Sequence, residues 1–132
     1  MSRIMGVDPV TLANGSTVLA IAGVTTIYTA SRRIKPGEYF SVSYKFVSAG
    51  GAPDVKIEVE QSFDLPTTEG ASDGNWVEPE DMSDIEGALV SETMHHKALK
   101  LVALPFMRFK ITGNAANPAD CIGTMYFTRQ EE

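Results

Sequence analysis

The sequence predicts an all-β protein, an antiparallel β-sandwich or jelly roll with an N-terminal arm and a long acidic loop. Short stretches of strict apolar/polar alternation recur along the chain, separated by Gly, Pro, Asn and Asp turn signals. Long amphipathic helical patterns, heptads and internal repeats are lacking. The chain has 132 residues, 43% hydrophobic and 21% charged, enough for one core and too short for two. The expected division is an arm over residues 1–16 and a single sandwich domain over 17–132.

Residues 1–16 mix Gly6, Pro9, Asn14 and Gly15 with isolated apolar residues, the composition of a terminal arm, a segment that is mobile unless a partner holds it. Thr17–Ala30 is rich in β-branched residues and reads as extended. Gly23 is expected to split it with a bend or bulge. Lys35-Pro36-Gly37 is a tight turn. In EYFSVSYKFV, Phe40, Val42, Tyr44 and Phe46 fall on one face and Ser41, Ser43 and Lys45 on the other. VKIEVEQS repeats the pattern with Val55, Ile57 and Val59. The SAGGAPD turn between these two segments suggests an antiparallel hairpin.

A long loop over residues 62–87 follows, broken by a short segment around Trp76 and Val77. DIEGALVSETMHH reads as an irregular or short helical piece, since Gly87 interrupts its helical spacing. HKALKLVAL reads as extended. FMRFKITG alternates Met107, Phe109 and Ile111 against Arg108, Lys110 and Thr112. NAANPAD then turns the chain into the last strand, CIGTMYFTRQ.

Charge is uneven. Residues 1–66 carry six acidic and six basic groups, whereas residues 67–132 carry eleven and five. Lys and Arg are absent between Lys56 and Lys97, a span that holds eleven carboxylates. Such a surface repels phosphate backbones, and the three charges of SRRIK do not make a basic patch, so direct nucleic-acid binding is not expected. The longest apolar stretch, STVLAIAGVTTIYT, falls short of the roughly 18 residues of a membrane span. The start of the chain lacks the apolar block of a secretory signal, and the single Cys121 excludes an internal disulfide. Both fit synthesis in a reducing cytoplasm.

Catalytic motifs are absent: no glycine-rich phosphate loop, no G-x-S-x-G, no H-E-x-x-H and no CxxC. The loop carboxylates sit in polar sequence, without the apolar pocket that would raise one of them for acid catalysis. His95 and His96 are adjacent, so on a strand they point to opposite faces and chelate poorly. Asp73, Asp81, Asp84 and Glu86 supply oxygen ligands but not the spacing of a calcium-binding EF-hand. Trp76 reads as a cover for the end of the core, a sugar platform or an interface anchor. Lys97, Lys100, Arg108 and Lys110 lie on the polar sides of strands expected to be neighbours, positioned to pair with the acidic loop or across a subunit interface. No catalytic residue, cofactor or metal ligand is assigned. Arg3, Ile4, Met5, Val7, Trp76, Asp81 and Asp84 are the candidate partner contacts.

VKIEVEQSFD, then a loop with SDGNW, then LPFMRFKITGNAANPAD and TMYFTRQ together resemble small β-sandwich virion structural proteins of tailed bacteriophages, of the head decoration or cement type. The likeness spans roughly residues 39–130. It implies a non-enzymatic protein made in the host cytoplasm. It further implies a homotrimer on the capsid surface, bound to the major capsid protein and stabilising the head lattice. A tail, collar or head-fibre role is the close variant. A weaker similarity to discoidin-like carbohydrate-binding modules implies a glycan-binding alternative. Here the chain departs from the compact S-x-D-G-x-x-W form, because LPTTEGAS separates Ser62 and Asp64 from Asp73, Gly74 and Trp76.

Overall fold

A computed structural model describes residues 3–35, 38–79, 93–102 and 104–131. Among them are nine strands: β1 Arg3–Pro9, β2 Leu19–Ile21, β3 Thr26–Tyr28, β4 Arg32–Arg33, β5 Glu38–Val47, β6 Val55–Ser62, β7 His95–Leu99, β8 Phe106–Gly113 and β9 Cys121–Glu131. All pairings are antiparallel, and they form two sheets. In sheet A, β1 and β2 lie end to end along one side of β9, with β5 and then β7 on the other. In sheet B, β3 and β4 flank one side of β8 and β6 the other. The sandwich expected from the alternating segments is the fold of the protein.

The alternation builds the core directly. Phe40, Val42, Tyr44 and Phe46 turn inward from β5, and Val55, Ile57 and Val59 from β6. They meet the inward rows of β8 and β9, and Val10 and Ile34 are buried with them. Burying such side chains is the main force that closes two sheets on each other, at about 1.5–3 kcal/mol each. At Gly23 the chain leaves β2 in sheet A for β3 in sheet B, and its φ of 56° suits glycine. Asn117, itself buried, locks this crossing. Its Nδ2 donates to the carbonyls of Ile21 (2.9 Å) and Gly23 (3.2 Å), and its Oδ1 accepts from the Asp54 amide (3.0 Å).

The topology corrects the hairpin expected for β5 and β6. The Ser48–Asp54 connection carries the chain from sheet A to sheet B, so the two strands face each other across the core. The connection from β8 to β9 crosses back the same way. β7 and β8 also lie in different sheets, so Lys97 and Lys100 are not strand neighbours of Arg108 and Lys110. The segment expected as an arm is, from Arg3 to Pro9, the edge strand β1, in register with Tyr126–Glu131 of β9. Asp8 ties that edge to both sheets through Arg32 of β4 (3.1 Å) and Arg129 of β9 (3.6 Å). The Lys35–Gly37 turn (at Pro36 and Gly37) and most of the DIEGALVSETMHH segment lie outside the described residues.

Candidate functional site

The acidic loop expected from the sequence runs over residues 62–87. Its described part, residues 63–79, is fastened to the outer face of sheet B by Arg108. On β8, Met107 and Phe109 point into the core, so Arg108 points out. The loop covers it so fully that only 2% of it stays exposed. Its Nε donates to Glu60 Oε1 on the neighbouring strand at 2.9 Å, and Nη1 donates to the Ala71 carbonyl in the loop at 2.7 Å. The guanidinium lies between two rings, 4.2 Å from the centre of Tyr28 and 4.3 Å from that of Trp76. A charged group loses its hydration on burial, and here an ion pair, a carbonyl and two aromatic faces replace it.

Inside the described part of the loop, three acidic residues bind donors of their own chain. Asp64 accepts from the Ser62 hydroxyl (3.0 Å) and from Asn75 Nδ2 (3.2 Å). Asp73 accepts from the Thr68 amide at 2.9 Å. Glu69 reaches back to the amide (3.2 Å) and hydroxyl (2.7 Å) of Ser31, between β3 and β4. The carboxylates therefore point to separate partners. Among the described residues, no group of three or more His, Cys, Asp or Glu is placed to hold a metal ion. Gln61, fully buried, holds both flanks of the acidic stretch. Its backbone bridges Val77, and its side-chain amide exchanges two hydrogen bonds with the backbone of Val102, at 2.8 and 3.0 Å.

Two other features bear on chemistry. A cavity of about 150 Å³ lies between Val10–Thr11, the Thr29–Arg32 link and Met107–Phe109. That is smaller than the roughly 300–1,000 Å³ of sites that enclose a small molecule. Cys121 is buried, and burial pushes its thiol up to about 11, with the charge of Asp120 adding to the effect. The folded value lies above the ordinary 9.0, so this contribution to stability is complete below pH 9 and is lost as pH rises through about 11. Thiol reagents at pH 8 are expected to leave Cys121 untouched until urea unfolds the protein. The alkaline loss of stability is expected to shrink in Cys121→Ala. Rapid labelling of the folded protein would contradict the buried placement. Asp120 itself sits low, chiefly because the Ser48 hydroxyl donates to it.

The two outer faces of the sandwich differ sharply. Sheet B presents Lys56, Glu58, Glu60, Arg108 and Lys110, the charged pattern of a solvated or covered face. On sheet A, β9 turns out Ile122, Thr124, Tyr126, Thr128 and Gln130, and β5 turns out Tyr39, Ser41, Ser43, Lys45 and Val47. Val7, Pro9 and Ala20 extend this face on one side, and His96 and Ala98 on the other. Lys45 is its one lysine, arginine or carboxylate among the described residues. Ser43 and His96 pair across it at 2.8 Å.

The candidate contact residues thus separate. Val7 is exposed on the outer face of sheet A, and the backbones of Arg3, Ile4 and Met5 continue the same edge strand. Trp76 lies on the opposite side of the molecule, half-buried on Arg108 rather than over the end of the core. Asp81 and Asp84 fall outside the described residues. His95 stacks on Tyr44 with ring centres 5.4 Å apart, while His96 faces outward, as their adjacency on a strand requires. The sequence leads one to expect the pairing of Arg108 with the acidic loop but not its burial, since it occupies a polar slot of an alternating strand. Sequence reasoning missed Gln61 as an anchor, a polar residue in the inward row that Val55, Ile57 and Val59 define. No protein-family model, curated protein or solved structure matches the chain.

Proposed function

We propose that this protein is a structural component of a tailed-phage virion, a decoration protein that binds the major capsid protein and braces the head lattice. In this reading it is made in the host cytoplasm and docks as a homotrimer without catalysing a reaction. The observation that carries the reading is the Arg108 anchor. It spends a buried cation, an ion pair and two aromatic rings on holding an acidic loop in one shape, which suits a surface built for contact. Among the described loop carboxylates, Asp64, Glu69 and Asp73 accept hydrogen bonds from their own chain, which helps to fix that shape. A lattice multiplies such a contact, because many copies bound at equivalent positions hold a shell that single contacts would not.

The resemblance to virion sandwiches gives the reading its setting, and labelling of particles tests it. Antibodies raised against the purified protein and visualised by electron microscopy should mark the heads of intact virions at regular positions. Label on tails or collars would move the protein to that part of the particle. Virions that carry no label would overturn the reading.

A further inference from the structure

We infer that the outer face of sheet A is the surface through which copies of this chain associate. The inference rests on the self-association proposed above and names the surface that performs it. The two faces of the same sandwich carry the argument. Where sheet B meets solvent or its own loop, the strands alternate apolar residues with charged ones. Sheet A alternates apolar residues with Val, Ile, Tyr, Ser and Thr instead, joined by Gln130, His96 and the single charge of Lys45. Val7 is 57% exposed, Tyr39 54% and Ile122 43%, on one continuous surface that β1, β5 and β9 share. A sheet face meant for water would normally be written in polar and charged residues. Depletion of charge with enrichment in tyrosine is the composition of an interface centre.

Charge identifies the occupant. The chain has a net charge of -6, and the described part of its acidic loop, residues 63–79, lies on the other sheet. Two copies that met through their loops would repel. Meeting through sheet A, they bring together hydroxyl and apolar rows with Lys45 as the one fixed charge. The dimensions also fit. Ten residues of β5 across four strand positions make a face of about 33 by 19 Å, or roughly 600 Å² per copy. Two such faces bury about 1,200 Å² in all, the lower end of the range for specific interfaces.

Light scattering on the purified full chain, over a range of concentrations, tests this directly. The variants are Ile122→Glu and Tyr126→Glu, both exposed in the single chain, with Val24→Glu as an exposed apolar control away from the face. Wild type and Val24→Glu should give three times the chain mass. Each face variant should weaken association at least tenfold while keeping the far-ultraviolet spectrum of the folded chain. A wild type that stays monomeric would overturn the inference, as would association that both face variants leave intact or that Val24→Glu abolishes equally. A dimer sensitive to the face variants would keep the surface and overturn the threefold arrangement. Failure here is separable from failure of the virion reading. A monomer that labels heads sinks only this surface, and a trimer that labels no particle sinks only the virion.

Discussion

Replacing Arg108 by methionine is expected to free the 63–79 loop from sheet B and to cost about 3 kcal/mol of stability. Methionine keeps much of the aliphatic stem but removes the guanidinium. Glu60 then loses its partner, the Ala71 carbonyl loses its donor, and Tyr28 and Trp76 lose the cation between them. The estimate sits at the low end for a broken buried pair because the Glu60 side chain is 18% exposed and can recover water. For a domain of this size the loss should lower the melting temperature by about 10 °C. Trp76 is the sole tryptophan, so its emission should shift to longer wavelength as the indole meets water. Limited proteolysis should cut the loop sooner. Unchanged emission and cleavage in Arg108→Met would show that the loop is held by its other bonds. Glu60→Gln should have a smaller effect, since Arg108 keeps the Ala71 carbonyl and both rings.

The second large effect is expected at Gly123 on β9. Phe46 lies directly opposite it across the β5–β9 pair, and the ring is laid over the glycine. A Cβ at this position would collide with three carbons of that fully buried ring. Gly123→Val should therefore force Phe46 out of place and destabilise the protein by about 3 kcal/mol, read as a lower urea midpoint. Gly123→Ala should cost less. Phe46→Leu should make Gly123→Ala cheaper by at least about 0.5 kcal/mol, because the two positions share one space. Strict additivity of the two substitutions would contradict this packing.

Legibility followed the physics of each element. The period-two segments of β5, β6 and β8 announced their inward rows, and those rows are the core. Alternation says which side chains turn inward but not which sheet a strand joins. Ser48–Asp54 therefore read as a hairpin turn, although it spans the gap between the sheets. β1 was harder to see because an edge strand is held by backbone pairing and needs few apolar residues. Its outward Val7 and Pro9 resemble an arm in sequence. Arg108 occupies a slot where the pattern demands a polar residue, and surface is the natural reading. Its burial depends on Tyr28 and on Ala71 and Trp76 in the loop, a meeting that only the fold creates. Likewise, the neutrality of the sheet A face emerges only once β1, β9, β5 and β7 are placed side by side.

Co-sedimentation with heads assembled from the cognate major capsid protein tests the central claim most directly, with wild type and Arg108→Met compared at a temperature where both are folded. Saturable binding of wild type, with a stoichiometry set by the lattice and weakened in Arg108→Met, is the predicted result. Wild-type protein that stays in the supernatant at every concentration would contradict the account.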